Sequence, residues 1–277
     1  MNFLETFGRP LVLAMASTVA LASCGDSATG GGGSGGEGSS SVLRILVTND
    51  DGVAADGIDA IVEALVADPN NEVLVSAPAE NQSGSGDMTT EGDVEVTEAT
   101  TAGGYPATAV NGFPADAVLY ALDNLYPGGP PDLVVSGLNA GQNVGLLMNI
   151  SGTVGAAKTA ARRGVPAVAG SQGVAGNSEP IQTYDYPAGV NALLVWIAAN
   201  RNALLNPTGL PTSITSINIP SCTEGIVRGA LEVPNATSNG EYNPLGDQDC
   251  TSTLEDPIND IEAFVSGFTA VTELGLN

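Results

Sequence analysis

The chain reads as an α/β domain, a Rossmann-like three-layer fold with a mostly parallel central sheet, small antiparallel excursions and an irregular C-terminal β segment. From residue 42 onward, apolar strand-like runs alternate with amphipathic helical stretches, the order expected when helices cover both faces of a parallel sheet. The runs "VLRILVTN" and "PDLVVSG" are apolar at successive positions, as strands buried on both faces must be. The polar segments "NDDG", "NQSG" and "SGLNAGQN" each follow a strand, where open α/β sheets gather their ligands.

The elements follow in order. "VLRILVTN" is a first strand, and Asp56 is placed to cap a helix running to about Ala67, with Ile58, Ile61, Val62 and Leu65 on one face. "EVLVSAP" is a second strand, whose Pro78 opens the polar loop "AENQSGSGDMTT". "DVEVTEAT" and "ATAV" alternate with a period of two and predict a small antiparallel pair. Pro114 marks the start of a helix in "NGFPADAVLYALDNL". The strand "PDLVVSG" then leads into a long loop, "LNAGQNVGLLMNISG", and a helix, "TVGAAKTAARRG". "VPAVAGS" is a strand, "DYPAGVNALLVWIAANR" a helix and "SITSINIP" a further strand. Short strands near "GIVRGALEV" and "EAFVSGFTAVTEL" close the pattern.

At the N-terminus, Arg9 and the apolar stretch "PLVLAMASTVALAS" precede Cys24, which reads as an export signal over residues 1–23. The stretch is short for a membrane span. "LASC" resembles the lipobox of bacterial lipoproteins, which implies cleavage before Cys24 and lipidation of its thiol. An ordinary secretory signal with an incidental cysteine is the alternative. Residues 24–41, mostly Gly and Ser, predict a flexible tether between that anchor and a domain spanning 42–277. An extracytoplasmic location, membrane-bound through the lipid only, is the expectation. Cys222 and Cys250 then remain as candidates for a disulfide in an oxidising space, against the alternative of two buried thiols.

Lys and Arg number 7 against 31 Asp and Glu, a formal charge of −24, which argues against binding nucleic-acid polymers. There is no histidine. Ser-His-Asp hydrolysis and His-ligated zinc are therefore excluded, and a metal would have to be held by oxygen: Mg²⁺ or Mn²⁺, with Ca²⁺ as a further candidate.

Asp50 and Asp51 are adjacent at a strand end and repel each other unless a cation or hydrogen-bond donors neutralise them. Either could instead cap the following helix. Ser83 and Asn139, each just past another strand, add oxygens suited to a hard cation. Ser151, Gly152 and Thr153 open a helix whose first turn lacks bulky residues, a place where exposed N–H groups favour an anion such as phosphate. A plain N-cap by Ser151 or Thr153 is the structural alternative. Lys158, Arg162 and Arg163 further along that helix read as a solvated face.

The segments "ILVTNDDGVAADGI", "VLVSAPAENQSGSG", "NGFPADAV", "PDLVVSGLNAGQNVG" and "SGTVGAAKTAARRGVPAVAGS" together resemble, in order and approximate spacing, the SurE family of survival-protein nucleotidases. The resemblance covers about residues 43 to 173, with a weaker echo in "SINIP" and "AFVSGFTAVTEL". It implies a metal-dependent phosphatase acting on nucleoside monophosphates, with Asp50, Asp51, Ser83 and Asn139 as metal ligands. One of the aspartates would also serve as the base, and Asn143 with Ser151, Gly152 and Thr153 would line the phosphate pocket. The chain departs from the family at Ala79 and Gln82, where an Asp and an Arg are usual, and in the apolar lip "LLMNI". It ends soon after the last family strand, which speaks against dimerisation through a C-terminal arm. A non-catalytic lipoprotein binding metal and phosphate or nucleotide is the alternative function. A dinucleotide oxidoreductase fits poorly, because no G-x-G-x-x-G follows the first strand.

Overall fold

A computed structural model of the protein describes residues 42–175, 183–246 and 248–277. The export signal, Cys24 and the Gly/Ser tether lie outside the described residues.

The domain is built on a nine-stranded sheet. Its elements run β1 (Leu43–Thr48), α1 (Asp56–Val66), β2 (Asn71–Pro78), β3 (Glu95–Thr100), β4 (Pro106–Asn111), α2 (Pro114–Asn124), β5 (Leu133–Ala140), a 3₁₀ turn (Gly145–Asn149), α3 (Gly152–Arg162) and β6 (Ala167–Gln172). A two-stranded ribbon of β7 (Val174–Ala175) and β8 (Thr183–Tyr184) precedes α4 (Tyr186–Leu205), β9 (Ser213–Ile219), β10 (Ala230–Glu232), α5 (Asp260–Val265) and β11 (Thr269–Gly275). The main sheet has the order β10-β11-β9-β6-β5-β1-β2-β4-β3. The ladders from β9 through β6, β5, β1 and β2 to β4 are parallel, and the antiparallel pairings are β3 with β4 and β9 with β11. This is the predicted three-layer architecture.

Alternation along β1 assigns its two faces. Leu43, Ile45 and Val47 pack with Ile58, Ile61, Val62 and Leu65 of α1 and with Leu193 and Ile197 of α4. Leu46 turns to the opposite layer, against Val118 of α2 and Val154, Ala157 and Ala160 of α3. Each fully buried Leu or Ile contributes roughly 1.5–3 kcal/mol. Two copies of that arrangement, one on each face, hold β1 at the centre of the domain.

Two local expectations change. Ala55, not Asp56, is the N-cap of α1 and makes no side-chain bond; Asp56 is the first helical residue, an acid in the first turn favoured by the helix dipole. "EAFV" is helical, not strand: Asn259 caps α5 by accepting from the Glu262 N–H at 2.9 Å, and the strand begins only at Thr269.

Candidate functional site

The chain passes from β1 to β2 on one side of the sheet and later returns to place β5 on the other side of β1. Loops leaving the carboxyl ends of β1 and β5 therefore diverge and leave a crevice between them. Asp50 and Asp51 stand at the β1 end, Asn139 at the β5 end.

Asp50 is 3 % exposed. Its Oδ1 accepts a hydrogen bond of 2.8 Å from the Thr153 hydroxyl at the start of α3. Burial raises its carboxyl above the ordinary aspartate range, against the lowering effect of the Thr153 hydroxyl and of the Thr153 and Gly152 peptide N–H groups. Helix α3 thus aims its positive end at this carboxylate. Gly152 permits the approach: a Cβ there would fall 2.8 Å from Asp50 Cβ and 2.9 Å from the Ser85 hydroxyl.

Asp51 is held by different segments. Its Oδ2 accepts from the Ala140 N–H at 2.8 Å and its Oδ1 from Asn81 Nδ2 at 3.3 Å. Burial, followed at a distance by the charge of Asp50, pushes its carboxyl up to about 6. The loop after β2 is laid along this segment, with the Gln82 N–H bonded to the Asp50 carbonyl at 2.7 Å and the Val53 N–H to the Pro78 carbonyl at 2.8 Å. Gly52, at φ 105°, makes the turn between them, in a conformation that side chains disfavour.

Asn139 is buried, and its Nδ2 donates to the Gly141 carbonyl at 2.6 Å, which leaves its Oδ1 as the free end of the amide. Ser83 lies on the exposed part of the loop after β2, its N–H donating to Asn81 Oδ1 at 2.9 Å. The loop carrying Ser83 thus meets the aspartates through Asn81 and Gln82.

On the other side of Asp50, Asn143 is held from two directions. Its N–H donates to Asn218 Oδ1 at 2.7 Å, and its Nδ2 to the Ser171 hydroxyl at 2.9 Å and, more weakly, to Thr153 Oγ1 at 3.5 Å. Ser151 is the N-cap of α3, accepting from the Val154 N–H at 3.1 Å. Of the four residues singled out for phosphate, then, Asn143 and Thr153 touch each other, Gly152 and Thr153 face Asp50, and Ser151 caps the helix. Asn81, Ser85, Ala140, Ser171 and Asn218 also join the site; their segments are marked in the sequence, but the individual residues are not, because each meets its partner from a distant segment.

The donors present fit a hard divalent cation. The ion pairs among the described residues, Arg162 with Asp87, Arg163 with Asp123 and Arg201 with Asp68, all lie away from the two aspartates. No three Asp, Glu, His or Cys side chains converge among the described residues, so an ion would be shared by two carboxylates and neutral oxygens. The buried Ser85 hydroxyl beside Asp50 has no hydrogen-bond partner there, an orphaned oxygen of the kind such an ion would satisfy.

Away from the site, Arg162 and Arg163 sit on the exposed flank of α3, and Lys158 Nζ donates to the Asn277 carbonyl at 3.3 Å. Cys222 and Cys250 are joined in a disulfide, with Cα atoms 5.7 Å apart.

Residues 45–240 match the family model of the survival protein SurE. Among curated proteins, a 5'-nucleotidase SurE of Methanopyrus kandleri is 39% identical over 182 residues, 64% of this chain and 66% of that protein. A 5'-nucleotidase SurE of Methylocella silvestris is 32% identical over 255 residues, 85% of this chain and 94% of the relative. The match thus spans about two thirds of the Methanopyrus protein's length and nearly all of the Methylocella protein's. Among solved structures, the crystal structure of a SurE protein from Aquifex aeolicus superposes with a TM-score of 0.65 at 26% identity, covering 84% of this chain and 94% of that one.

Proposed function

The chain belongs to the SurE family, and from that premise we propose that it is a metal-dependent phosphomonoesterase that hydrolyses nucleoside monophosphates outside the cytoplasm. The observation that carries the reading is the pair Asp50 and Asp51 at the end of a central strand: a buried carboxylate facing the N-terminus of α3 and a partly buried one beside it, both raised by desolvation. Among the described residues, a few N–H and hydroxyl groups are what offsets the negative charge concentrated there, which is costly unless a cation is bound.

Asp50, Asp51 and the Asn139 side-chain oxygen would hold Mg²⁺ or Mn²⁺, with Ser83 or Ser85 contributing a hydroxyl. Such an ion, when bound, supplies Lewis-acid polarisation of a phosphate oxygen and lowers the pKa of water. The Asn143 amide gives its two N–H groups to the Ser171 and Thr153 hydroxyls, and it would donate to a phosphoryl oxygen by exchanging the weak 3.5 Å bond to Thr153 as negative charge develops there. Asp51, partly open to solvent, is placed to accept a proton from attacking water. With no histidine in the chain, the leaving alcohol takes its proton from water or from a carboxyl group. The residues before the described domain support anchoring through a lipidated Cys24, as a further part of the same proposal.

Incubation of the purified protein with adenosine monophosphate and Mn²⁺ or Mg²⁺ should release inorganic phosphate, and a chelator should abolish the release. Asp51→Asn should fold normally and lose at least about 100-fold in kcat, the scale expected for removing a charged ligand that is also a base. Undiminished turnover in that variant would refute the assignment. Metal-dependent nucleotide binding without phosphate release would point instead to the non-catalytic binding protein.

A further inference from the structure

Nothing so far described contacts the nucleoside half of a nucleotide, and the turn between β8 and α4 offers a surface for it. Tyr184 and Tyr186 flank Asp185, and their rings stack with centroids 5.5 Å apart and planes 16° from parallel. Tyr186 is the inner ring, packed against the core cluster of β1, α1 and α4. Its edge passes directly over Gly57, where a Cβ would come within 3.1 Å of Tyr186 Cε1 and would run into the carbonyl oxygen of Leu138, the residue before Asn139. Tyr184 lies on the other side of that ring, half-buried.

The pair stands beside the acidic site. Burial first, and then the charge of Asp51, raises both phenols above their ordinary range. Asp51 accepts from the Ala140 N–H, two residues beyond the Leu138 carbonyl that meets Tyr186 at Gly57, so the rings and the aspartates border the same end of β5.

The turn is also fixed. Asp185 caps α4, accepting from the Ala188 N–H at 3.2 Å, and its own N–H donates to the Ser221 hydroxyl at 3.0 Å. That hydroxyl donates in turn to the Gly173 carbonyl at 2.5 Å and accepts from Gln172 Nε2 at 3.0 Å, both at the end of β6. Two aromatic rings held in this way lose little freedom when a third planar group joins the stack.

We propose that Tyr184 and Tyr186 form the nucleobase platform of the site, with the base stacking on Tyr184 while Tyr186 supports it from behind. The proposal rests on the phosphomonoesterase reading and adds its substrate preference: nucleotides over phosphomonoesters that carry no base, with little discrimination among bases, because every base offers a π-face.

The test compares adenosine monophosphate with glycerol 2-phosphate, each with Mn²⁺, in the wild type, Tyr184→Leu and Tyr184→Phe. Tyr184→Leu should lower the ratio of kcat/KM for the nucleotide over glycerol phosphate about tenfold, chiefly through KM for the nucleotide, and Tyr184→Phe should restore it. An unchanged ratio in Tyr184→Leu would overturn the platform while leaving the phosphomonoesterase intact. Should the wild type hydrolyse neither ester, the enzymatic reading fails by itself. Calorimetry with Mn²⁺ then decides the platform: tighter binding of adenosine monophosphate than of ribose 5-phosphate, lost in Tyr184→Leu, supports it, and equal binding overturns it.

Discussion

Desolvation of Asp51 makes a statement about stability as well as chemistry. Its carboxyl titrates near 6 in the folded protein, against an ordinary value of 3.8. The folded state therefore holds the proton more tightly than the unfolded chain, and the ion-free protein loses stability as pH rises from about 4 through 6, with the loss complete above. A shift of that size corresponds to at most about 3 kcal/mol. In a chelating buffer, the melting temperature of the wild type should fall more steeply between pH 4.5 and 7 than that of Asp51→Asn; parallel curves would contradict the assignment. Added divalent ion should reverse the fall by binding only the folded state. At this scale the sequence was informative where chemistry is local: two adjacent acids behind an apolar run announce a problem that something must solve. It was silent on the partners. Thr153, which donates to Asp50, is 103 positions away, and no local pattern connects the two.

Among the elements, the 3₁₀ turn of Gly145–Asn149 depends on a helix near the other end of the chain. Asp260, fully buried at the start of α5, accepts from the Gly145 N–H at 2.7 Å and from the Ala236 and Ile261 N–H groups at 2.7 and 3.0 Å. Gly145 follows Asn143 by two residues, so this carboxylate also anchors the segment that presents the Asn143 amide. Asp260→Ala would leave buried N–H groups unsatisfied, at about 1–3 kcal/mol for each. The urea midpoint should drop by the equivalent of at least about 2 kcal/mol, and kcat/KM for a nucleotide should fall with it; a variant as stable as the wild type would show that water replaces the carboxylate without loss. The periodicities exposed most of the parallel strands and all of the long helices. They failed at α5, because its 6 residues are too few to separate a helical period from an alternating one, and the capping Asn259 carries the deciding signal. Neither the 3₁₀ turn nor the polar bond to Asp260 has a sequence signature.

At the scale of the whole molecule, the class of fold was legible because it follows from the order of elements, whereas the order of strands was not. Placing β5 beside β1 rather than beside β4 brings the β5 end that carries Asn139 to Asp51 through the Ala140 N–H, and that choice is made by long-range pairing such as Val47 with Val135. The C-terminal third closes on the same scaffold. Ser221 and Gln248, bonded through the Ser221 N–H to Gln248 Oε1 at 3.0 Å, sit next to Cys222 and close to Cys250. The disulfide therefore secures the network that carries the Tyr184 turn. Its 28-residue separation corresponds to about 3.5 kcal/mol of restricted freedom in the unfolded chain. Reduction under native conditions, or Cys222→Ser with Cys250→Ser, should lower the denaturant midpoint by an amount of that order, and an unchanged midpoint would show the bridge to be incidental.

That same bridge alters what a protease can do. Much of the stretch between the two cysteines is exposed, so it offers ready places for cleavage. A single cut inside it opens a ring and severs nothing, since both fragments remain tied through sulfur. The nicked molecule would keep its mass on a gel run without reductant and come apart into two pieces only when thiol is added.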